Sequence, residues 1–192
     1  MKTFELKGSA RPELGKKATK ALRVNDSIPC VLYGGKETVH FQVTTSDVRK
    51  LIYTPEIFLV ELNLDGRKTN AILKDLQFHP VKDTIFHIDF LEVSENKPIV
   101  MEVPIKLIGL AEGVKMGGKL SQEMRKLRVR ALYKHIPEKL EVHVENLGLG
   151  KTIQVSALSF DNLTIMNNPI NVVAAVKLTR AARGAMAKGD SK

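Results

Sequence analysis

Apolar and polar residues alternate along much of this chain with a period of two, the mark of extended strands. The clearest case is TIFHIDF at 84–90. Alternation predicts Thr84, Phe86, Ile88 and Phe90 on one side and Ile85, His87 and Asp89 on the other. The run IPCVLY at 28–33 stops at Gly34-Gly35, and TVHFQV at 38–43 reads as its return strand. Two further runs, 57–64 and 69–76, flank Asp65-Gly66, a strong hairpin signal. His79-Pro80 then turns the chain into 84–90. Ser46 is placed to cap a short helix through Tyr53, with Val48, Leu51 and Ile52 on one side. About six short strands within 1–94 are enough to close as a barrel.

Ser94-Glu95-Asn96-Lys97-Pro98 is polar, contains a proline and reads as a boundary between a domain at 1–94 and a second at 95–180. In the second, a strand over 99–108 leads to a glycine-rich loop at 113–120 (GVKMGGKL). Strands at 127–133 and 140–144 follow, joined by a turn at Ile136-Pro137-Glu138, and 171–178 closes the unit. The end, AARGAMAKGDSK at 181–192, lacks core residues and reads as a disordered basic tail. The fold class is mainly β: an N-terminal closed β-barrel with short helices, then a second β-rich domain.

Composition narrows the function. With 43% hydrophobic residues, 27% charged and no tryptophan in 192 residues, the chain reads as a globular protein with a Val/Ile/Leu core. Cys30 is the single cysteine, which excludes an internal disulfide and four-cysteine zinc sites; inside an apolar run it reads as buried and inert. No stretch reaches the roughly 18 apolar residues of a membrane helix, and the start lacks a secretory apolar core, so no membrane and a cytosolic, reduced location are expected. A net charge of +9 favours polyanion partners. Residues 1–24 concentrate it, with seven Lys/Arg against two acids.

Three constellations can carry chemistry. After Gly15, Lys16, Lys20 and Arg23 fall at i, i+4 and i+7 on one helix face, with Ala18, Ala21 and Leu22 turned to the protein and Arg11 in the preceding loop. Such a stripe can track phosphates or be a solvated face. Tyr33 and Gly34 offer a ring and a close backbone approach to a nucleotide, or serve as a hairpin turn. Gln77 with His79, and His87 with Asp89, can present hydrogen-bonding groups to base edges and 2′-hydroxyls, or be surface residues of a one-sided sheet. His87-Ile88-Asp89 also has the H-x-D spacing of some iron centres, with His40, His79, His135 or His143 as third ligand; an enzyme using His79, His87 and Asp89 is thus the alternative class. Gly148–Thr152 contains a G-K-T, but position 145 is Glu, so a turn and no phosphate loop is expected. In RKLRVR at 125–130, Arg128 and Arg130 share a side, a second RNA-facing edge or a solvated one.

Taken in order, R-x-E-x-G-K, A-T-K-A-L-R, I-P-C-V-L-Y-G-G, Q-F-H-P and H-I-D-F resemble the bacterial ribosomal protein family that binds 5S rRNA. V-P-I-K-L-I-G, E-G-V-K-M-G-G-K-L, I-P-E-K-L-E-V and N-P-I-N-V-V-A-A-V extend the resemblance to its long, two-domain form, the general stress protein CTC family. The resemblance implies a barrel similar to an anticodon-binding barrel of glutaminyl-tRNA synthetase. It further implies a non-catalytic role in the large ribosomal subunit, binding at the loop E region of 5S rRNA, as a monomer within the ribosome, with neighbouring rRNA and ribosomal proteins and no cofactor or metal. Carried over by motif as RNA-binding are Arg11, Lys16, Lys20, Arg23, Tyr33, Gly34, Gln77, His79, His87 and Asp89. Asp89 is expected either against RNA or orienting His87 or Arg23. A stress protein acting off the ribosome is the remaining alternative. Lys20-Ala21 departs from the family's arginine-rich helix, and Lys20 lacks the bidentate fork of arginine.

Overall fold

The computed structural model describes residues 1–180 and Ala182; apart from Ala182, the tail expected at 181–192 lies outside the described residues. The chain divides into two compact units, Met1–Ile99 with Leu132–Lys134, and Val100–Ala131 with His135–Lys192.

The first unit is a closed six-stranded barrel. Its strands are β1 (Lys2–Ala10), β2 (Ser27–Tyr33), β3 (Val39–Thr44), β4 (Phe58–Leu64), β5 (Arg67–Phe78) and β6 (Ile85–Glu92), in the order β1-β3-β2-β6-β5-β4. Two parallel pairings, β1 with β4 and β2 with β6, close the ring. The hairpins sit where turn chemistry puts them. Asp65 and Gly66 both take positive φ (50° and 93°), the consecutive left-handed pair that a two-residue hairpin turn demands. The N-terminal strand β1 is easily overlooked because lysine and glutamate dominate it, yet Leu6 is buried and Phe4 packs edge-on to Phe58. Inward residues such as Ile28, Leu32, Phe41, Leu62, Ile88 and Phe90 fill the barrel.

Two short helices decorate the barrel: α1 (Lys16–Val24) and α2 (Thr45–Tyr53). Val48 and Leu51 of α2 are buried, as its spacing predicts. The expected cap at Ser46 is corrected to Thr44, whose hydroxyl bonds the Asp47 carboxylate at the first turn. Thr45 ties this start down, its amide and hydroxyl both donating to Asp26 O (3.0 and 2.9 Å).

The face assignment of 84–90 needs a larger correction. Gln77 opposes His87 but Phe78 opposes Ile85, so Phe86 bulges out of the β5–β6 ladder. The extra residue reverses the phase of the alternation at the start of β6. Ile85 therefore joins Ile88 and Phe90 in the core, and Phe86 comes to the surface.

Cys30 is fully buried, and burial, its chief influence, pushes its thiol far up, so it is protonated at neutral pH. The native chain is expected to show no reaction with a disulfide reagent at about pH 8 over the time in which the urea-unfolded chain reacts completely. Stoichiometric labelling of the folded chain would refute this burial.

The second unit contains a four-stranded and a three-stranded sheet. The first, in the order β10-β7-β9-β12, uses β7 (Ile99–Ile108), β9 (Lys126–Ala131), β10 (Leu140–His143) and β12 (Thr164–Ile165). The second, β11-β13-β8, uses β8 (Lys119–Gln122), β11 (Thr152–Gln154) and β13 (Val172–Lys177). The stretch at 113–120 is not wholly loop: it holds most of a one-turn helix α3 (Glu112–Lys115) and the start of β8. Gly113 is required there because a Cβ would stand 2.6 Å from Leu149 N. The strand expected over 127–133 stops at Ala131, and Tyr133–His135 form a 3₁₀ turn. Gly148–Lys151 is a turn, closed by Lys151 N donating to Gly148 O (3.2 Å).

Candidate nucleic-acid interface

The outer side of β2, β6 and β5 collects the polar candidates. Asp89 pairs in register with Val31 of β2 and Asp75 of β5, while His87 pairs with Gln77. His87 Nδ1 lies 2.7 Å from Asp89 Oδ1, and both side chains are about one-third exposed or less (27% and 30%). The carboxylate accepts only, so Nδ1 carries the proton and donates; in that tautomer Nε2 is an acceptor on the far edge. Of the two partners expected for Asp89 within the chain, His87 is the one it holds. Tyr33 ends β2 beside this pair. Its phenol is pushed up by burial first, then by Asp89 and Asp75, so it stays protonated and able to donate at neutral pH.

Arg23 reaches the same region from α1. The bulge removes Phe86 from the ladder, and its carbonyl accepts from Arg23 Nε (3.2 Å) and Nη2 (3.1 Å). The guanidinium carbon also stands 3.3 Å from the centre of the Phe86 ring, a stacked cation–π contact. Arg11 lies close enough that the two cations repel: the Arg23 pKa is lowered by burial first and by Arg11 second. Arg11 itself is weakly held. Nη2 donates to Glu13 O (3.3 Å) and Thr19 Oγ1 (3.4 Å), both long, and the buried Nε finds no partner among the described residues. Arg11 thus meets α1 at Thr19, one turn before Arg23, and an under-satisfied guanidinium and an anchored one along the same helix can together serve an anion.

The remaining candidates are placed differently. Lys16 and Lys20 stand exposed on α1, without ion pairs among the described residues. Ala21 is exposed rather than turned inward; Thr19 takes that place, donating to Gly15 O (2.6 Å) while receiving Arg11. Arg23 is consequently an anchored cation, not a free member of the stripe. Gly34 is demanded by the fold: its φ is 94°, and a Cβ would stand 2.6 Å from Leu91 Cδ1. His79 lies just past β5, and its Nδ1 accepts from Val81 N (3.2 Å) and Lys82 N (3.3 Å), closing the loop into β6. Gln77 is exposed beside His87.

His79, His87 and Asp89 do not assemble a ligand set; among the described residues no group of three or more His, Cys, Asp or Glu could hold a metal ion. Nor is any helix among them long and apolar enough to cross a membrane. Two contributors escape a reading by residue type. Phe86 was assigned to the core face by alternation, and Thr19 carries no charge. The only trace of Phe86's role is the apolar Ile85 beside it, which makes either phase of the strand equally apolar.

Comparison with known proteins shows the family. Residues 6–90 match the model of the Ribosomal L25p family, and residues 98–180 match that of the ribosomal protein TL5 C-terminal domain. A large ribosomal subunit protein bL25 of Parabacteroides distasonis is 61% identical, covering 98% of this chain and 100% of the relative. One from Porphyromonas gingivalis is 64% identical (98% and 99% covered), and one from Bacteroides fragilis 58% (97% and 98%). The chain belongs to the bL25 family of large-subunit ribosomal proteins, structural and not enzymatic, in its long two-domain form.

Proposed function

We propose that this chain binds 5S rRNA, at its loop E region, through the outer β2–β6–β5 side of the barrel and the adjoining Arg11–α1 segment. It does so as a single copy in the large subunit, in the bacterial cytoplasm. The observation that carries the reading is that Arg23, anchored on Phe86, and Arg11, held against the same helix at Thr19, lie on elements neighbouring the His87–Asp89 couple. The guanidiniums suit a phosphate, with Lys16 and Lys20 extending the track along α1. Gln77, the His87 ring edge and the Tyr33 hydroxyl suit the base edges and 2′-hydroxyls of a shallow RNA minor groove. An Asp89 already paired to His87 adds less repulsion toward phosphates than a bare carboxylate would.

The test is a titration of labelled 5S rRNA with the full chain at several salt concentrations. About four to six phosphate contacts give a slope of log affinity on log salt of roughly −3 to −5. A slope near zero, or equal affinity for 5S rRNA and an unrelated duplex, would overturn the proposal.

A further inference from the structure

We infer that the outer side of β9 in the second unit is a separate RNA-backbone contact, distinct from the barrel surface. Along β9, Leu127, Val129 and Ala131 are buried, and Lys126, Arg128 and Arg130 are all exposed. A strand spaces same-side residues by about 6.6–6.8 Å, comparable with successive phosphates along a nucleic-acid strand, so three cations span roughly 13 Å in one straight row.

The row is poorly neutralised. Its one ion pair among the described residues is Arg128 with Glu102 at 3.6 Å, both side chains more than half exposed (61% and 53%), a pair of little energetic weight. By contrast, Lys177 on β13 meets Glu123 at 2.7 Å. Thr164, not an acid, stands opposite Arg130 on the two-residue strand β12, so the row lies one short strand from an open edge. Lys106 adds an exposed cation on β7, and the interval 95–180 holds thirteen basic against eight acidic residues. Two arginine forks bind phosphates and carboxylates alike; the straight row spaced like successive phosphates is what favours RNA over an acidic protein segment. Family membership puts such RNA within reach. The inference does not depend on which RNA the barrel takes.

The experiment compares the full chain with its K126Q/R128Q/R130Q variant on two probes: 5S rRNA, and large-subunit rRNA stripped of protein and of 5S rRNA. Affinity for the large-subunit rRNA is expected to fall about a hundredfold at low salt, with the salt slope flattened by about 2–3, while 5S binding is unchanged. R128K/R130K, which keeps the charge, is expected to retain most of the slope, and an unaltered urea midpoint shows that the triple variant folds. Unchanged affinity and slope on large-subunit rRNA would overturn the inference. So would equal losses on both RNAs. Failure of the parent chain to bind 5S rRNA would sink the barrel reading and leave this one standing.

Discussion

A Phe90→Ala chain is expected to be about 3–5 kcal/mol less stable than the parent, a large share of the 5–15 kcal/mol or so that holds a typical domain folded. Phe90 has no exposed surface, and its ring lies 5.7 Å from that of Phe41 across the barrel at an interplanar angle of 40°. It sits on β6 opposite Leu32 of β2 and Leu73 of β5, so truncation opens a cavity where three strands meet. Closed barrels collapse poorly around such a void because each strand is pinned on both edges. Urea unfolding measures the effect, with Phe90→Leu as the milder substitution. A loss of about 1 kcal/mol or less for the alanine variant would show that the barrel relaxes around the gap. The same strand carries His87 and Asp89 on its outer side, so the alanine variant is expected to lose RNA affinity only under conditions that also unfold it.

Asp89→Ala is expected to weaken specific 5S rRNA binding roughly 10–100-fold, as losing a charge-assisted hydrogen bond of about 1.5–3 kcal/mol would. The 2.7 Å contact holds the His87 proton on Nδ1 and keeps Nε2 as an acceptor. Without the carboxylate the ring is free to exchange tautomers and turn, so an acceptor aimed at an amino group or 2′-hydroxyl is lost. No phosphate contact is removed, so the salt slope should stay the same while discrimination between 5S rRNA and a generic duplex falls. Deleting a negative charge could instead strengthen RNA binding by relieving repulsion. Tighter binding of Asp89→Ala to both RNAs would mean that Asp89 does not orient His87 for recognition.

How much of this was readable beforehand depended on whether local chemistry or tertiary contact decides each position. The Asp65-Gly66 turn was readable because positive φ at two successive residues restricts the residue types that fit. So was the barrel, which rests on alternation and on strand length. The face of Phe86 was not. A single bulged residue reverses the phase of a strand, and Ile85 and Phe86 are both apolar, so composition does not show where the reversal falls. Nor were the contacts of Arg23 within the chain readable, since the carbonyl and ring that anchor it exist at the surface only because of the bulge. On α1, helical spacing put Ala21 inward, but the short helix presents Thr19 instead, where its hydroxyl serves Arg11. The glycines at 113–120 suggested a loop, while Gly113 marks a close approach to the backbone at Gly148–Leu149.

The central claim is that one built surface of the barrel holds the RNA, and exposed lysines away from the Arg11–Arg23 and His87–Asp89 cluster supply a matched control. Lys7 of β1 and Lys68 at the start of β5 flank Asn63 of β4 in register, away from the Asp75–Gln77 stretch of β5 that pairs with Asp89 and His87 of β6. The decisive measurement is the affinity of the full chain for 5S rRNA with R11Q/R23Q set beside K7Q/K68Q, each removing two positive charges. The account predicts a loss of about a hundredfold or more for R11Q/R23Q and less than about threefold for K7Q/K68Q. Equal losses from the two variants would contradict it, because the chain would then be attracting RNA by net charge and not by a built surface.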